Sequence, residues 1–103
     1  MIKLTDKLLK SVEKPARYTG GEYNIIVKNP NDVNIRFAFC FPDIYDIGMS
    51  HLGIKILYDV LNKREDTFCE RVFAPAIDME EKMRENKIPL FSLESRDAIS
   101  EFD

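Results

Sequence analysis

The sequence predicts an α/β fold in which helices flank a partial parallel sheet, preceded by a short amino-terminal helix and strand. Three observations predict this fold. Apolar residues occupy both faces of the segment 33–41, which is typical of a strand covered on two sides. Extended and helical patterns then alternate in the order strand, helix, strand, helix, strand. The chain has 103 residues, of which 45% are hydrophobic and 32% charged, an ordinary balance for a globular protein.

The first 32 residues are predicted to form a segment of their own, ahead of an incomplete α/β domain over residues 33–103. A short amphipathic helix begins at Thr5 or Asp6, since both residue types are favoured helix caps. Pro15 ends this helix, because the residue before a proline avoids the helical conformation. The segment then continues as a loop and a strand.

Two adjacent glycines, Gly20 and Gly21, mark that loop. We interpret it as a plain turn, with a lid or a phosphate-contacting loop as the alternative. The glycine spacing matches neither of the common glycine-rich phosphate-binding patterns, which favours the turn. A strand over residues 23–28, rich in β-branched side chains, and a turn over residues 29–32 complete the segment.

The strand over residues 33–41 leads through a loop over residues 42–48 into a helix over residues 49–63. Ser50 is a plausible N-cap for this helix. The helix has a broad apolar face, which predicts that this face packs against the sheet. The face comprises Leu52, Ile56, Leu57, Val60 and Leu61.

A second strand over residues 67–73 and a second helix follow. Asp78 and Glu81 have the spacing of a capping box, in which side chains satisfy the first free amides of a helix. The short apolar run over residues 88–93 predicts a third strand. The mixed charges of residues 94–97 are predicted to be solvated surface.

Charge and hydropathy exclude several classes of protein. The chain carries 15 basic and 18 acidic residues, so its charge does not support nucleic-acid binding. No apolar run approaches the roughly 20 residues of a membrane span. The first ten residues alternate charged and apolar side chains, which is not the pattern of a signal peptide. We therefore expect a cytoplasmic protein that does not associate with membranes.

Cysteine and histidine are too few for a zinc site built from these residues. The chain has Cys40, Cys69 and His51, and they lack the paired spacing of zinc ligands. We expect two reduced, buried thiols that behave as small hydrophobic side chains, because the cytosol is reducing. A disulfide between the two cysteines is the alternative.

The densest polar cluster follows the strand over residues 33–41, at the edge where open parallel sheets bind ligands. Asp46 and His51 suggest a histidine whose tautomer is fixed by a carboxylate, and a solvent-facing or helix-capping histidine is the alternative. Asp43 and Asp46 are also candidates for paired carboxylates, with turn and capping roles as the alternative. Ser50 lacks the base that a nucleophile needs. The cluster comprises Asp43, Tyr45, Asp46, Gly48, Ser50 and His51.

Five segments resemble the amino-terminal region of the radical SAM proteins that carry a cobalamin-binding domain. They are residues 13–24 (EKPARYTGGEYN), 37–43 (FAFCFPD), 48–53 (GMSHLG), 70–75 (ERVFAP) and 89–95 (PLFSLES). These unusual strings occur in one order, and the resemblance covers nearly the whole chain.

The resemblance implies a Rossmann-like, cobalamin-binding type of fold and a larger protein in which a radical SAM domain follows. That domain would hold a [4Fe–4S] cluster through C-x-x-x-C-x-x-C and cleave S-adenosylmethionine. This chain lacks the motif, and its two cysteines are too few for the cluster, so we expect a fragment that is not catalytic by itself. The resemblance also implies a cobalamin-facing loop, which comprises Pro42, Asp43, Tyr45, Gly48, Met49, Ser50 and His51.

The base-off cobalamin pattern D-x-H-x-x-G is not met, because Asp46 lies five residues before His51 and Gly53 lies two after it. The alternative function is a corrin-free module that recognises a protein or an RNA as part of a larger protein. A response-regulator-like domain is weaker, since it needs more acidic residues at a strand end than Asp43. The expected partners are the remainder of the same polypeptide and a second copy, paired through an exposed sheet edge.

Overall fold

A computed structural model describes residues 1–22 and 24–103. The described residues form two strands, β1 (Ile35–Phe41) and β2 (Thr67–Phe73). They also form the α-helices α1 (Asp6–Lys10), α2 (Tyr45–Gly48), α3 (Leu52–Asn62) and α4 (Ile77–Glu85). Single 3₁₀ turns lie at Pro15–Tyr18, Pro30–Asp32 and Ile99–Glu101. Within this described part, none of the helices has the length and apolar content needed to cross a membrane.

The two strands pair in parallel, from Ile35 beside Thr67 to Phe41 beside Phe73. The chain passes from β1 to β2 through α2 and α3, and α3 packs against β2. A parallel arrangement needs such a crossover, because a tight turn can join only antiparallel strands. The predicted α/β class with a parallel sheet and helices is therefore confirmed.

The strand that is covered best is β2, whereas the sequence predicts this role for β1. Six of the seven β2 residues are buried, while Ile35 and Phe37 of β1 are 41% and 43% exposed. The reason is that α3 lies over β2 and Leu93 runs along the far edge of β2. The Leu93 amide donates to the Arg71 carbonyl there at 2.9 Å. β1 is left at the edge of the two-stranded sheet.

The strand predicted over residues 23–28 is wrong for the part that is described. Residues 24–28 have no regular strand or helix, and Tyr23 lies outside the described residues. The side chain of Lys28 explains how the segment is held without strand pairing. Its Nζ donates three hydrogen bonds of 2.6 to 2.9 Å to backbone carbonyls around the end of α3. A lysine at this end also compensates the negative end of the helix dipole.

The third strand predicted over residues 88–93 is also wrong. In the described part of the chain this segment makes one antiparallel bridge, between Phe91 and Ala98. The Glu94 carboxylate accepts the backbone amide of Arg71 at 2.8 Å. A side chain therefore satisfies a β2 donor that a complete third strand would pair.

The helix predicted over residues 49–63 begins later than expected. Residues 49–51 lie between the separate turn of α2, which ends at Gly48, and α3, which begins at Leu52. The N-cap of α3 is His51 and not Ser50, because the His51 Nδ1 atom accepts the Ile54 amide at 3.4 Å. The helix-capping alternative for this histidine is therefore confirmed.

The capping box expected from Asp78 and Glu81 is not formed. Ala76 is the N-cap of α4, and no side chain caps this helix end. The Asp78 carboxylate instead accepts the backbone amides of Glu13 and Met79, each at 2.8 Å. These bonds hold the pKa of Asp78 below its usual range, with the bond from Glu13 as the largest cause. Asp78 thereby fastens the amino-terminal segment to α4.

The amino-terminal segment shares a hydrophobic core with α4. Thr5 is the N-cap of α1, as predicted, and its Oγ1 accepts the Leu8 amide at 3.2 Å. Gly20 and Gly21 adopt φ angles of +69° and +79°, which glycine adopts readily. The shared core comprises Leu8, Val12, Tyr18, Met79, Met83 and Phe91. The boundary between residues 32 and 33 stays a prediction.

The α3 helix buries a different face from the one that its sequence predicts. Its buried residues are Ile54, Tyr58 and Asn62. The exposed apolar residues are Leu52, Ile56, Leu57 and Val60. Polar bonds fix this orientation, because the Asn62 amide group exchanges hydrogen bonds of 3.0 and 2.9 Å with the Cys69 backbone. Apolar periodicity alone therefore gives the wrong inward face.

Candidate functional site

The loop over residues 42–51, called the candidate loop below, lies across the carboxyl ends of both strands. Asp43 ties it to the loop after β2, because its carbonyl accepts the Ala74 amide at 2.9 Å. The Asp43 carboxylate accepts the amide of Ile44 at 2.8 Å. This aspartate therefore has a turn role, which agrees with the alternative drawn from the sequence.

Tyr45 and Gly48 pack against the aromatic ring of Phe73 at the end of β2. The Tyr45 ring meets Phe73 edge-on, with 5.8 Å between centroids, and Gly48 is buried beneath the same ring. The Tyr45 hydroxyl donates to the Glu22 carboxylate at 2.9 Å. Burial and this carboxylate raise the pKa of Tyr45 to about 12, so the hydroxyl stays a donor at neutral pH.

Asp46 pairs with Arg17 and not with His51, so the contact considered between Asp46 and the histidine is not formed. Two hydrogen bonds of 3.2 and 3.0 Å join the Arg17 guanidinium to the Asp46 carboxylate. The Arg17 hydrogen bond is the largest cause that holds the pKa of Asp46 below its usual range. Because Asp43 and Asp46 have separate partners, they do not form the paired carboxylates of an acid–base site either.

His51 and Ser50 also make structural contacts. His51 caps α3, and its ring centroid lies 5.4 Å from that of Phe41. The Ser50 hydroxyl donates to the Asp46 carbonyl at 2.9 Å. The side chains of both residues therefore bond to the backbone of the candidate loop and of α3.

A buried ion pair that the sequence analysis missed lies behind Met49 of the candidate loop. The Arg71 Nε donates to Glu94 at 2.7 Å, and the two side chains are 6% and 0% exposed. The guanidinium also lies over the Tyr58 ring, 4.2 Å from its centroid. Burial raises the pKa of Glu94, and Arg71 opposes this shift. Residues 94–97 are therefore not the solvated surface that their charges predict.

A second buried network lies on the opposite face of the sheet. The Glu70 carboxylate has no exposed surface and accepts hydrogen bonds from Arg36, Ser92 and the Ser95 amide at 2.7 to 2.9 Å. Arg36 also pairs with Asp97 at 2.9 Å. The sequence did contain a signal for this network, namely Glu70 in the middle of an apolar strand. A carboxylate is buried in such a place only when it is paired, so a partner for Glu70 could have been predicted.

The two cysteines are free, and the predicted burial holds for only one of them. Cys69 is buried, whereas Cys40 is exposed. Cys69 pairs with Phe37, three residues before Cys40, so the two thiols lie on opposite faces of the sheet and cannot form a disulfide. Burial raises the pKa of Cys69 to about 12, which leaves this thiol unreactive. Over residues 1–22 and 24–103, no three potential metal ligands cluster.

A cleft of about 660 Å³ opens beside the candidate loop. Its lining comprises Glu22, Asn24, Ile26, Met49, Lys55, Tyr58, Asp59 and Arg71. A separate apolar cavity of about 20 Å³ lies near Tyr45 and Phe91, and it has room for about one water molecule. The larger cleft is therefore the better candidate for a ligand.

The second half of the chain is similar to a known family. Residues 53–103 match the family described as "Radical SAM proteins, N-terminal". No curated protein and no solved structure matches the chain significantly.

The match to the radical SAM family extends over just under half of the chain, and it supports a relation to that family. It covers nearly all of α3 together with β2 and α4, and so includes Arg71, Glu94 and Glu70. The candidate loop precedes the matched residues. The resemblance to radical SAM proteins is therefore supported in its general form, while a cobalamin-binding type of domain stays a prediction.

Proposed function

We propose that this chain is the amino-terminal part of a cytoplasmic radical SAM protein and is not catalytic by itself. The match of residues 53–103 to the amino-terminal family model carries this proposal. The parallel unit of β1, α3 and β2 is compatible with a Rossmann-like domain of the cobalamin-binding type.

Exposed apolar side chains support the proposal that this unit belongs to a larger domain. We define the outer apolar surface as Ile35, Phe37, Leu52, Ile56, Leu57 and Val60, which are 41% to 68% exposed. The Asp103 amide donates to the Arg36 carbonyl at 3.0 Å, so the chain reaches the outer edge of β1 there. In this proposal the radical SAM domain of a longer polypeptide covers the outer apolar surface.

The 103-residue chain alone is expected to self-associate, because burying apolar surface is favourable and the edge of β1 beyond Arg36 has no strand beside it in the described part of the chain. Sedimentation velocity should show oligomers that grow with concentration. Ile56→Lys should shift the distribution toward monomer. Ile77→Lys is the matched control, since Ile77 is 76% exposed and lies on α4, outside the outer apolar surface. A monomer at every concentration would contradict this prediction.

The radical SAM assignment is tested on the full-length protein. After reconstitution with iron and sulfide, a reductant and S-adenosylmethionine are added, and 5′-deoxyadenosine is measured. The full-length protein should form it, and the 103-residue chain should form none. A reading frame without C-x-x-x-C-x-x-C after Asp103 would overturn the assignment. Formation of 5′-deoxyadenosine by the chain alone would overturn the non-catalytic role.

Cobalamin binding through a histidine–cobalt bond does not fit the residues present. A ligating histidine normally has a carboxylate partner, but the Asp46 carboxylate is held by Arg17 and the His51 Nδ1 atom caps α3. The two cysteines likewise do not fit a [4Fe–4S] cluster, because their thiols face opposite sides of the sheet. Our proposal for cobalamin is limited to contacts between the candidate loop and the corrin.

The alternative function is a corrin-free module that recognises a protein or an RNA. The outer apolar surface favours the protein-binding version, since exposed apolar side chains are stabilised by burial against a protein. Incubation of the full-length protein with hydroxocobalamin, followed by desalting, separates the two functions. Retained visible absorbance would support corrin binding, and a colourless protein would support the corrin-free module.

A further inference from the structure

We propose that the 660 Å³ cleft binds a small zwitterion, namely an α-amino acid with an apolar side chain. The ligand carboxylate would bond to Arg71 and its ammonium group to Glu22, both of which line the cleft. This site involves neither S-adenosylmethionine cleavage nor cobalamin. Its test is therefore independent of the test of the proposed function.

Arg71 supplies the anion-binding end. Its side chain is 6% exposed, and its Nε is taken by Glu94. The Nη1 atom reaches the thioether sulfur of Met49 at 3.2 Å, which is a weak acceptor. The Nη2 atom is buried and has no hydrogen-bond partner among residues 1–22 and 24–103. The outer fork of this guanidinium therefore lacks an oxygen acceptor, and a carboxylate matches such a fork with two parallel bonds.

Glu22 supplies the cation-binding end. Its Oε1 accepts the Tyr45 hydroxyl at 2.9 Å. Its Oε2 is buried, and the described part of the chain offers it no donor. Both Glu22 and Arg71 line the same cleft, so a molecule that occupies the cleft lies beside both residues. A protonated amine is the donor that suits a carboxylate oxygen best.

Charge favours a zwitterion over a simple anion. Glu94 already compensates Arg71, so the carboxylate of Glu22 leaves this cluster with one negative charge in excess. Asp59 of α3 also lines the cleft, but Lys63 pairs with it at 3.0 Å, so Lys55 balances the charge of Glu22 and the cleft as a whole is close to neutral. A phosphate would meet two carboxylates near its binding position, whereas a neutral zwitterion meets a partner for each of its charges.

The cleft walls favour an apolar ligand side chain. The Tyr58 hydroxyl is occupied by the backbone of Ile26, since it accepts the Ile26 amide at 3.1 Å and lies 3.3 Å from the Ile26 carbonyl. The Tyr58 ring and the Ile26 side chain therefore remain as apolar walls of the cleft. Such a combination of apolar walls and a few polar groups is typical of small-molecule sites.

The first experiment compares four probes on the full, ¹⁵N-labelled chain by amide chemical-shift titration. The probes are L-leucine, N-acetyl-L-leucine, L-leucinamide and inorganic phosphate. L-leucine should bind at least about tenfold more tightly than either singly charged analogue, because each analogue loses one charge-assisted hydrogen bond. Equal affinity for L-leucine and an analogue, tighter binding of phosphate, or no shift with L-leucine would overturn the proposal.

The second experiment locates the site with two conservative variants. Glu22→Gln keeps an acceptor for Tyr45 and removes the charge that the ammonium needs. Arg71→Lys keeps a cation for Glu94 and removes the fork. Each should weaken L-leucine binding about tenfold or more, whereas Glu80→Gln on the exposed side of α4 should leave it unchanged. Wild-type affinity in a folded Glu22→Gln protein would overturn the site, even if Arg71→Lys does not fold.

Discussion

Replacing Glu94 with alanine is expected to lower the free energy of unfolding by about 3–5 kcal/mol. The Glu94 carboxylate accepts both the backbone amide and the Nε of Arg71, at 2.8 and 2.7 Å. Without it, the Arg71 guanidinium stays buried with only a thioether and the Tyr58 ring beside it. An uncompensated buried charge is among the largest single costs that a substitution causes. Urea denaturation followed by circular dichroism measures the change.

The same chain offers a matched control for this prediction. Glu80 and Arg84 form an i,i+4 pair of the same residue types on α4, at 2.8 Å, but their side chains are 46% and 78% exposed. Glu80→Ala should cost no more than about 0.5 kcal/mol, because exposed helix pairs are solvated and flexible. If Glu94→Ala and Glu80→Ala lower the free energy of unfolding by the same amount, the Arg71–Glu94 pair is not buried as its geometry indicates.

Hydrophobic patterning predicts the elements that stand at the centre of the fold. The period-2 pattern of residues 33–41 and the helical pattern of residues 49–63 correspond to β1 and α3, with ends shifted by a few residues. The two strands that were predicted but are not formed, over residues 23–28 and 88–93, fail for the same physical reason. Lys28 and Glu94 satisfy backbone groups with side chains, and a sequence pattern for strands contains no information on such bonds.

The inward face of α3 shows a second limit of patterning. Its most apolar face is exposed, since Asn62 bonds to the Cys69 backbone and Tyr58 bonds to the Ile26 backbone on the other side. These polar contacts join segments that are distant in sequence, so only the folded chain brings them together. An unusually apolar surface helix is also what a chain would show if further structure packs on it.

The position of the candidate loop was predictable, but the roles of its side chains were not. Strand order places the loop at the carboxyl end of the sheet, and Asp43 and Tyr45 do lie there. Partner choice was not predictable, because Asp46 selects Arg17 from the amino-terminal segment and not His51, five residues away. The Glu22–Arg71 cleft was missed for the same reason, since its two ends come from opposite parts of the chain.

Replacing Gly48 with alanine is expected to lower the free energy of unfolding by about 1–3 kcal/mol. A Cβ atom built on Gly48 overlaps the Phe73 ring, which is held from the side by the edge of Tyr45. Alanine normally gains up to about 1 kcal/mol over glycine within a helix, but Gly48 ends the single turn of α2, so this gain is small. Overpacking against a fixed ring therefore outweighs helix propensity. Thermal unfolding followed by circular dichroism gives the sign directly.

A double-variant cycle separates this overlap from an ordinary backbone effect. Phe73→Leu removes most of the ring that the new methyl group meets, so Gly48→Ala should cost less in that background than in the wild type. The coupling free energy should be about 1 kcal/mol or more, which is within the range for residues in contact. Additive costs would mean that Phe73 moves aside freely. In that case the end of β2 would not hold Tyr45, and the hydroxyl of Tyr45 would not fix Glu22 beside the cleft.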